Sequence, residues 1–287
     1  DSAGEKLDAR NLKREGQAPK YSSTYQVGQM ASGEYSLELV AIGRKGGILH
    51  TQTVPVTVPA KPEWLGSQEG ISTKVLDPWT PVELEGGHVR VWGRDYAFGP
   101  LPFPTQAVSA GENILAGPVS VLVVADGKES VWKPRGEIKT VEARPEIARL
   151  GTAAAADGII CEGTVSVEYD GMVVSDFEIK PSRVRQLDQV SLIIPIKEEH
   201  AKYLYHYPGR WGSTKNAGNL PPEGFTSAFK PFIWLGDNDR GLAWFSESDQ
   251  GFVLDDPDKA IEITRDAGVV TLRVNMVRGG MKPAPLK

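Results

Sequence analysis

Residues 164–171 read Thr164-Val165-Ser166-Val167-Glu168-Tyr169-Asp170-Gly171. Val165, Val167 and Tyr169 alternate with Thr164, Ser166 and Glu168, and a period of two sends the two sets of side chains to opposite faces of a strand. Asp170-Gly171 then closes the run with a pair suited to a tight hairpin, whose central residues take positive φ. The alternation recurs in Val190, Leu192, Ile194 and Ile196, and again in Val270, Leu272, Val274 and Met276 against Thr271, Arg273 and Asn275. One buried and one wetted face per strand is the habit of antiparallel sheets. Asp126-Gly127, Asp266-Ala267-Gly268 and Asn238-Asp239-Arg240-Gly241 stand where further turns are needed. The pattern predicts an all-β chain of packed antiparallel sheets, a sandwich or a barrel. Only short helices are expected, two turns over 197–205 and one over 145–150.

A boundary is expected near residue 60. Ahead of it, Gly33-Glu34-Tyr35-Ser36-Leu37-Glu38-Leu39 and Thr53-Val54-Pro55-Val56-Thr57-Val58 read as the last strands of an immunoglobulin-like module, behind a loose, charged N-terminus. Pro59-Ala60-Lys61-Pro62 is a stiff linker into the main sandwich, residues 61–277. Residues 278–287, rich in Gly and Pro, read as a linker to a further domain.

Composition narrows the function. The 287 residues carry a net charge of −5 with no basic run, which argues against a nucleic-acid partner. No stretch approaches the roughly 20 apolar residues of a membrane-spanning helix. Asp1-Ser2-Ala3-Gly4-Glu5-Lys6 is too polar for a signal peptide. Cys161 stands alone, so neither an internal disulfide nor a cysteine metal site is expected. No cofactor is indicated.

Three stretches carry a family likeness. They are Pro62-Glu63-Trp64-Leu65-Gly66 with Pro78-Trp79-Thr80-Pro81, then Glu168-Tyr169-Asp170-Gly171-Met172 with the run from Ile194 to Leu204, and above all Lys230-Pro231-Phe232-Ile233-Trp234-Leu235-Gly236-Asp237-Asn238-Asp239-Arg240-Gly241-Leu242-Ala243-Trp244-Phe245-Ser246-Glu247-Ser248-Asp249. Together they resemble the N-terminal β-sandwich region of bacterial proteins related to glycoside hydrolase family 123. The resemblance implies an all-β fold with a large antiparallel β-sandwich, supersandwich-like and galactose-mutarotase-like, that precedes a (β/α)₈ barrel, with the catalytic acids on the barrel. It also implies a secreted or periplasmic protein, and for the whole protein an N-acetylgalactosamine-releasing activity. No catalytic residue carries over to this chain. The expected role is therefore that of a non-catalytic accessory domain whose partner is the downstream barrel. The alternatives are a carbohydrate-binding module gripping an oligosaccharide through exposed aromatics, and a self-contained carbohydrate-active enzyme.

Candidate sites follow from side-chain chemistry. The irregular stretch 205–219 mixes rings with amide and basic groups, as sugar sites do, and nominates Tyr207, Arg210, Trp211, Asn216 and Asn219 for glycan or inter-domain contact. Trp92 and Arg94, with Tyr96, are expected on one face of a strand over 88–96, as a ligand platform or an inter-domain face. Asp237, Asn238 and Asp239 could offer oxygens to a cation, with Asp237 and Asp239 as weak metal candidates, because the Ca²⁺ loop signature spaces its ligands at alternate positions and these three are adjacent. A structural turn, with Arg240 paired to a neighbouring acid, is the stronger reading there. Glu247 and Asp249, placed on a strand at i and i+2, match the spacing of glycosidase carboxylates but lack an apolar wall to raise one pKa. His200 and His206 lie six apart, and no metal site is expected from them.

Overall fold

The computed structural model describes residues 8–9, 11–15, 20–22, 30–182, 186–210 and 213–281. Among these residues no α-helix occurs; two single 3₁₀ turns, Glu198–His200 and Pro257–Lys259, interrupt an otherwise all-β chain. Among the described residues, no helix is therefore long and apolar enough to cross a membrane. The stretch expected to form two helical turns is instead the end of strand Leu187–Lys197, one 3₁₀ turn and the strand Tyr203–Tyr207. Likewise 145–150 opens the strand Ile147–Ala156, because Ala148, Leu150 and Thr152 continue a period-two burial pattern that a helix would break.

Two compact units divide the chain, residues 1–72 and 73–287. In the first, Lys13–Glu15 pairs with Lys20–Ser22, and Gly33–Ile42 forms a long hairpin with Ile48–Val58. Gly46, at φ 82°, and the Gly46 N–H to Gly43 carbonyl bond (2.9 Å) close that hairpin. Leu49 and Ile42 stay largely exposed on it.

Among the described residues, the second unit holds four sheets around one core, antiparallel but for one strand. A meander of five strands runs from Glu83–Glu85 to Glu112–Asn113. A seven-stranded sheet is centred on Leu187–Lys197 and Val269–Met281, with Val253–Leu254 joining as its one parallel strand. A five-stranded sheet is built on the hairpin Ile147–Ala156/Ile159–Glu168 with Val173–Pro181 alongside. The fourth sheet orders Ala217–Asn219, Tyr203–Tyr207, Phe232–Gly236 and Gly241–Phe245. Their inner faces meet in a continuous apolar cluster that includes Val89, Val123, Leu150, Val165, Ile196, Ile233 and Leu272. Burying such side chains contributes roughly 1.5–3 kcal/mol each, which is what holds stacked sheets together.

The turns follow their residue types. Asp126-Gly127 and Ala267-Gly268 take positive φ at both central positions, the geometry that matches the twist of flanking strands. Asp170-Gly171 departs from the expectation: Gly171 alone is positive (φ 90°), and Asp170 uses Oδ1 to accept the Met172 N–H (2.9 Å).

Period two also fails at Met276. Val190 pairs with Val277 and Ser191 with Asn275, so a β-bulge skips Met276 and turns Asn275 inward. The cost of burying polar Ser191 and Asn275 is met by a closed network. Ser191 Oγ donates to Asn275 Oδ1 (2.6 Å) and accepts from Gln189 Nε2 (2.9 Å). Asn275 Nδ2 donates to the Lys259 carbonyl (2.7 Å) and Glu262 Oε2 (2.8 Å), and Arg278 Nη1 donates to the same carboxylate (2.8 Å).

Candidate functional site

Several side chains nominated from sequence hold the fold itself. Residues 88–96 are not one strand: His88–Val91 turns at Trp92-Gly93 into Arg94–Phe98, so Trp92 caps a hairpin, half exposed, apart from Arg94 and Tyr96. Arg94 Nη1 donates to the Asp170 carbonyl (2.9 Å), and the buried Tyr96 hydroxyl donates to the Gly171 carbonyl (2.8 Å). The pair clamps the 170–171 turn to the meander, which is a structural task.

Asp237 is a turn-builder. Its Oδ1 accepts the N–H groups of Asp239 (2.7 Å) and Arg240 (2.9 Å), and its Oδ2 lies 2.9 Å from Nδ1 of buried His200. The His200 contact first, and then the two N–H groups, hold its carboxyl well below the usual carboxylate range. With both oxygens engaged, Asp237 has little left for a cation, and Asp239 is exposed. Among the described residues no cluster of three or more His, Cys, Asp or Glu is arranged to hold a metal. Arg240, expected to pair with a nearby acid, instead donates to the Ser109 carbonyl (3.1 Å) and ties this turn to the meander.

Glu247 and Asp249 lie beyond the strand that ends at Phe245, and both are exposed. The strand geometry that would have set their spacing is absent.

The 205–219 stretch resolves into strand, turn and strand. Asn216 is buried, its amide facing the carbonyls of Arg210 (3.0 Å) and Ser213 (3.2 Å), groups that only the amide nitrogen can satisfy. It therefore knots the loop from inside. Arg210 is exposed, and Trp211 lies outside the described residues. His206 points into the core against Phe225 (ring centroids 5.1 Å), and burial, with Lys230 adding to it, lowers its pKa. Tyr207 and Asn219 remain exposed.

Those two residues belong to an arrangement that the sequence reading missed. Directly paired residues of an antiparallel sheet share a face. In the fourth sheet Tyr207 pairs with Phe232 and Phe232 with Phe245; Tyr205 pairs with Trp234 and Trp234 with Ala243; Tyr203 pairs with Gly236 and, at the edge, with Asn219. Leu204, His206, Ile233 and Leu235 occupy the inner face and are buried. The outward face thus carries Tyr203, Tyr205, Tyr207, Phe232, Trp234 and Phe245. Tyr207 is 54% exposed and Phe245 49%, so rings at this end of the face are open to solvent. Tyr205 and Phe232 meet edge to face with centroids 6.0 Å apart. A Cβ on Gly236 would meet Trp234 Cη2 at 2.6 Å, so the glycine makes room for the indole to lean along its strand. By strand geometry the face measures roughly 13 Å along the strands and 10 Å across three of them.

The sequence signal was available in Tyr203-Leu204-Tyr205-His206-Tyr207, which alternates perfectly. The helix expected over 197–205 and the irregular stretch expected over 205–219 divide that run at Tyr205.

Asn219 also lines an open cleft of about 710 Å³ next to this sheet, together with Lys197, Glu199, Lys202 and Arg265. Arg265 is committed to Glu198 (3.1 Å) and the Leu220 carbonyl (2.9 Å), and Lys197 lies 3.7 Å from Glu199. Charges there largely answer one another.

The molecule is by its architecture an antiparallel β-sandwich protein. The family model described as glycoside hydrolase 123, third domain, matches residues 82–251, more than half of the 287 residues, and the chain belongs to that family. No curated protein matches it.

Proposed function

We propose that this chain serves as a non-catalytic accessory β-sandwich of a glycoside-hydrolase protein, supporting a downstream (β/α)₈ barrel and shaping its substrate cleft. The observation that carries the reading is the employment of the polar side chains with the best chemistry. Arg94, Asn216, Asp237 and Arg240 each spend their hydrogen bonds on a turn or loop of their own fold. Carboxylates able to work as an acid and base pair need a shared, partly apolar pocket, and Glu247 and Asp249 stand in solvent. The family assignment supplies the glycoside-hydrolase setting. The hairpin Gly33–Ile42/Ile48–Val58 fits the closing ribbon of an immunoglobulin-like module, which would cover Ile42 and Leu49. A secreted or periplasmic location suits such a protein.

The test is hydrolysis. Incubated with an aryl N-acetyl-β-galactosaminide, the purified chain is expected to release no aryl alcohol above the blank. Steady release that disappears in Glu247→Gln or Asp249→Asn would overturn the proposal and favour a self-contained enzyme.

A further inference from the structure

We infer that the outward face of the fourth sheet is a saccharide-binding platform for an extended, β-linked pyranose oligosaccharide. This goes beyond the accessory reading. Turnover by the chain would end that reading and leave this one standing, whereas failure to bind would end this one alone.

The case rests on what the face contains. Six of its side chains are rings, and the others named on it are Ala217, Asn219 and Ala243. No Leu, Ile, Val or Met occurs on it, although such residues fill the inner face of the same strands. A contact made on this face is therefore made by ring planes and edges and not by branched aliphatic knobs. A β-linked gluco-configured pyranose keeps its bulky substituents equatorial and presents axial C–H bonds from each face, a galacto-configured one offers such a C–H patch on the face opposite its axial O4, and a ring plane is complementary to that flat, weakly polar patch.

Polar groups sit where a stacked sugar would need them. Tyr203, Tyr205 and Tyr207 carry hydroxyls along one strand, and the exposed Asn219 amide stands beside Tyr203 on the edge strand. These groups can answer the equatorial hydroxyls at the rim of a stacked ring. Gly236 leaves space for Trp234 to lie along the sheet, which favours a flat ligand over a knob. The platform is longer than a single pyranose, so it fits an oligosaccharide. At its Tyr203 end, Asn219 continues into the charged cleft, which gives a longer glycan somewhere to go.

Calorimetric titration of the chain with cellotetraose, chitotetraose and β-1,4-galactotetraose tests the inference. Saturable binding of at least one tetrasaccharide is expected, and Trp234→Ala should weaken it about tenfold or more, as for a central ring at a binding surface. Tyr207→Ala and Phe245→Ala remove exposed rings and should fold normally, so they give the same test if Trp234→Ala does not fold. Trp92→Ala, an exposed ring elsewhere in the unit, should leave binding unchanged. Absence of saturable binding to all three sugars, or binding indifferent to Trp234, Tyr207 and Phe245, would overturn the inference. So would concentration-dependent self-association in sedimentation that the same three variants abolish, because the face would then belong to a second copy.

Discussion

Two outward sheet faces of the same unit are built in opposite ways. On the five-stranded sheet, Glu162 pairs across with Glu178, and Lys180 bridges both, 2.7 Å from Glu162 and in contact with Glu178. Nearby, Arg149 and Arg144 share Glu142 at 2.8 and 2.7 Å. The hydrogen bond from Lys180 lowers the Glu162 pKa, and Glu162 in turn raises that of Lys180. On the four-stranded sheet the equivalent positions hold Tyr203, Tyr205, Tyr207, Phe232, Trp234 and Phe245. Both faces back onto the same apolar cluster. Folding needs only that such a face be wettable, and the ion-paired sheet shows how the chain meets that need. Rings left facing water do not improve folding and invite association. The difference singles out the aromatic face as the one kept for a contact.

The largest expected effect separates the two sides of the aromatic sheet. Ile233 lies directly beneath the rings and is fully buried. Ile233→Ala should cost about 2–5 kcal/mol in denaturant unfolding, whereas Tyr207→Ala, on the opposite side, should stay within about 1 kcal/mol. Similar losses for both would mean that the rings are part of the core, and the contrast would fail.

A second, smaller effect comes from the groups under and beside the rings. His206 holds its proton less tightly in the folded chain than an ordinary histidine, because burial disfavours the charged form. Its contribution to stability is therefore complete above the ordinary value of about 6.5 and declines as pH falls through it. Asp237, with its lowered pKa, adds a further decline below about pH 4, the ordinary carboxylate value. Unfolding midpoints measured from pH 8 to pH 3 should fall in these two steps, and His206→Gln should remove the upper one. An unchanged upper step in that variant would assign it elsewhere.

The smallest effects belong to the charged face. Lys180→Ala should lower stability too little to resolve at physiological salt, with a slight loss emerging at low ionic strength. A large, salt-independent loss would show that this face is structural rather than merely wetted. The buried Cys161 on the inner side of the same sheet, its thiol pushed up to about 12 chiefly by burial, should resist alkylation until the protein unfolds.

Legibility followed the same division. The ion-paired and inner faces could be read because Val165, Val167 and their neighbours alternate apolar with polar, which is the signal that period-two reading detects. The aromatic strand alternates Tyr203, Tyr205 and Tyr207 with Leu204 and His206, a period of two without the apolar-polar contrast that tells the inner face from the outer. Its character depends on which partners lie opposite, and that is set by pairing with residues about 30 positions away. Arg94 and Asn216 looked functional because a sequence cannot show that their partners are the backbone carbonyls of a turn. The bulge that skips Met276 was likewise invisible, being fixed by the buried Ser191–Asn275 pair.

The most direct test is to ask which face a sugar touches. In an amide and aromatic NMR titration of the chain with the best-bound tetrasaccharide, shifts should concentrate in 203–207, 232–236 and 243–245 and stay silent across 142–149 and 162–180. Shifts centred on the ion-paired sheet or around Glu247 and Asp249, or none at saturating sugar, would contradict the account.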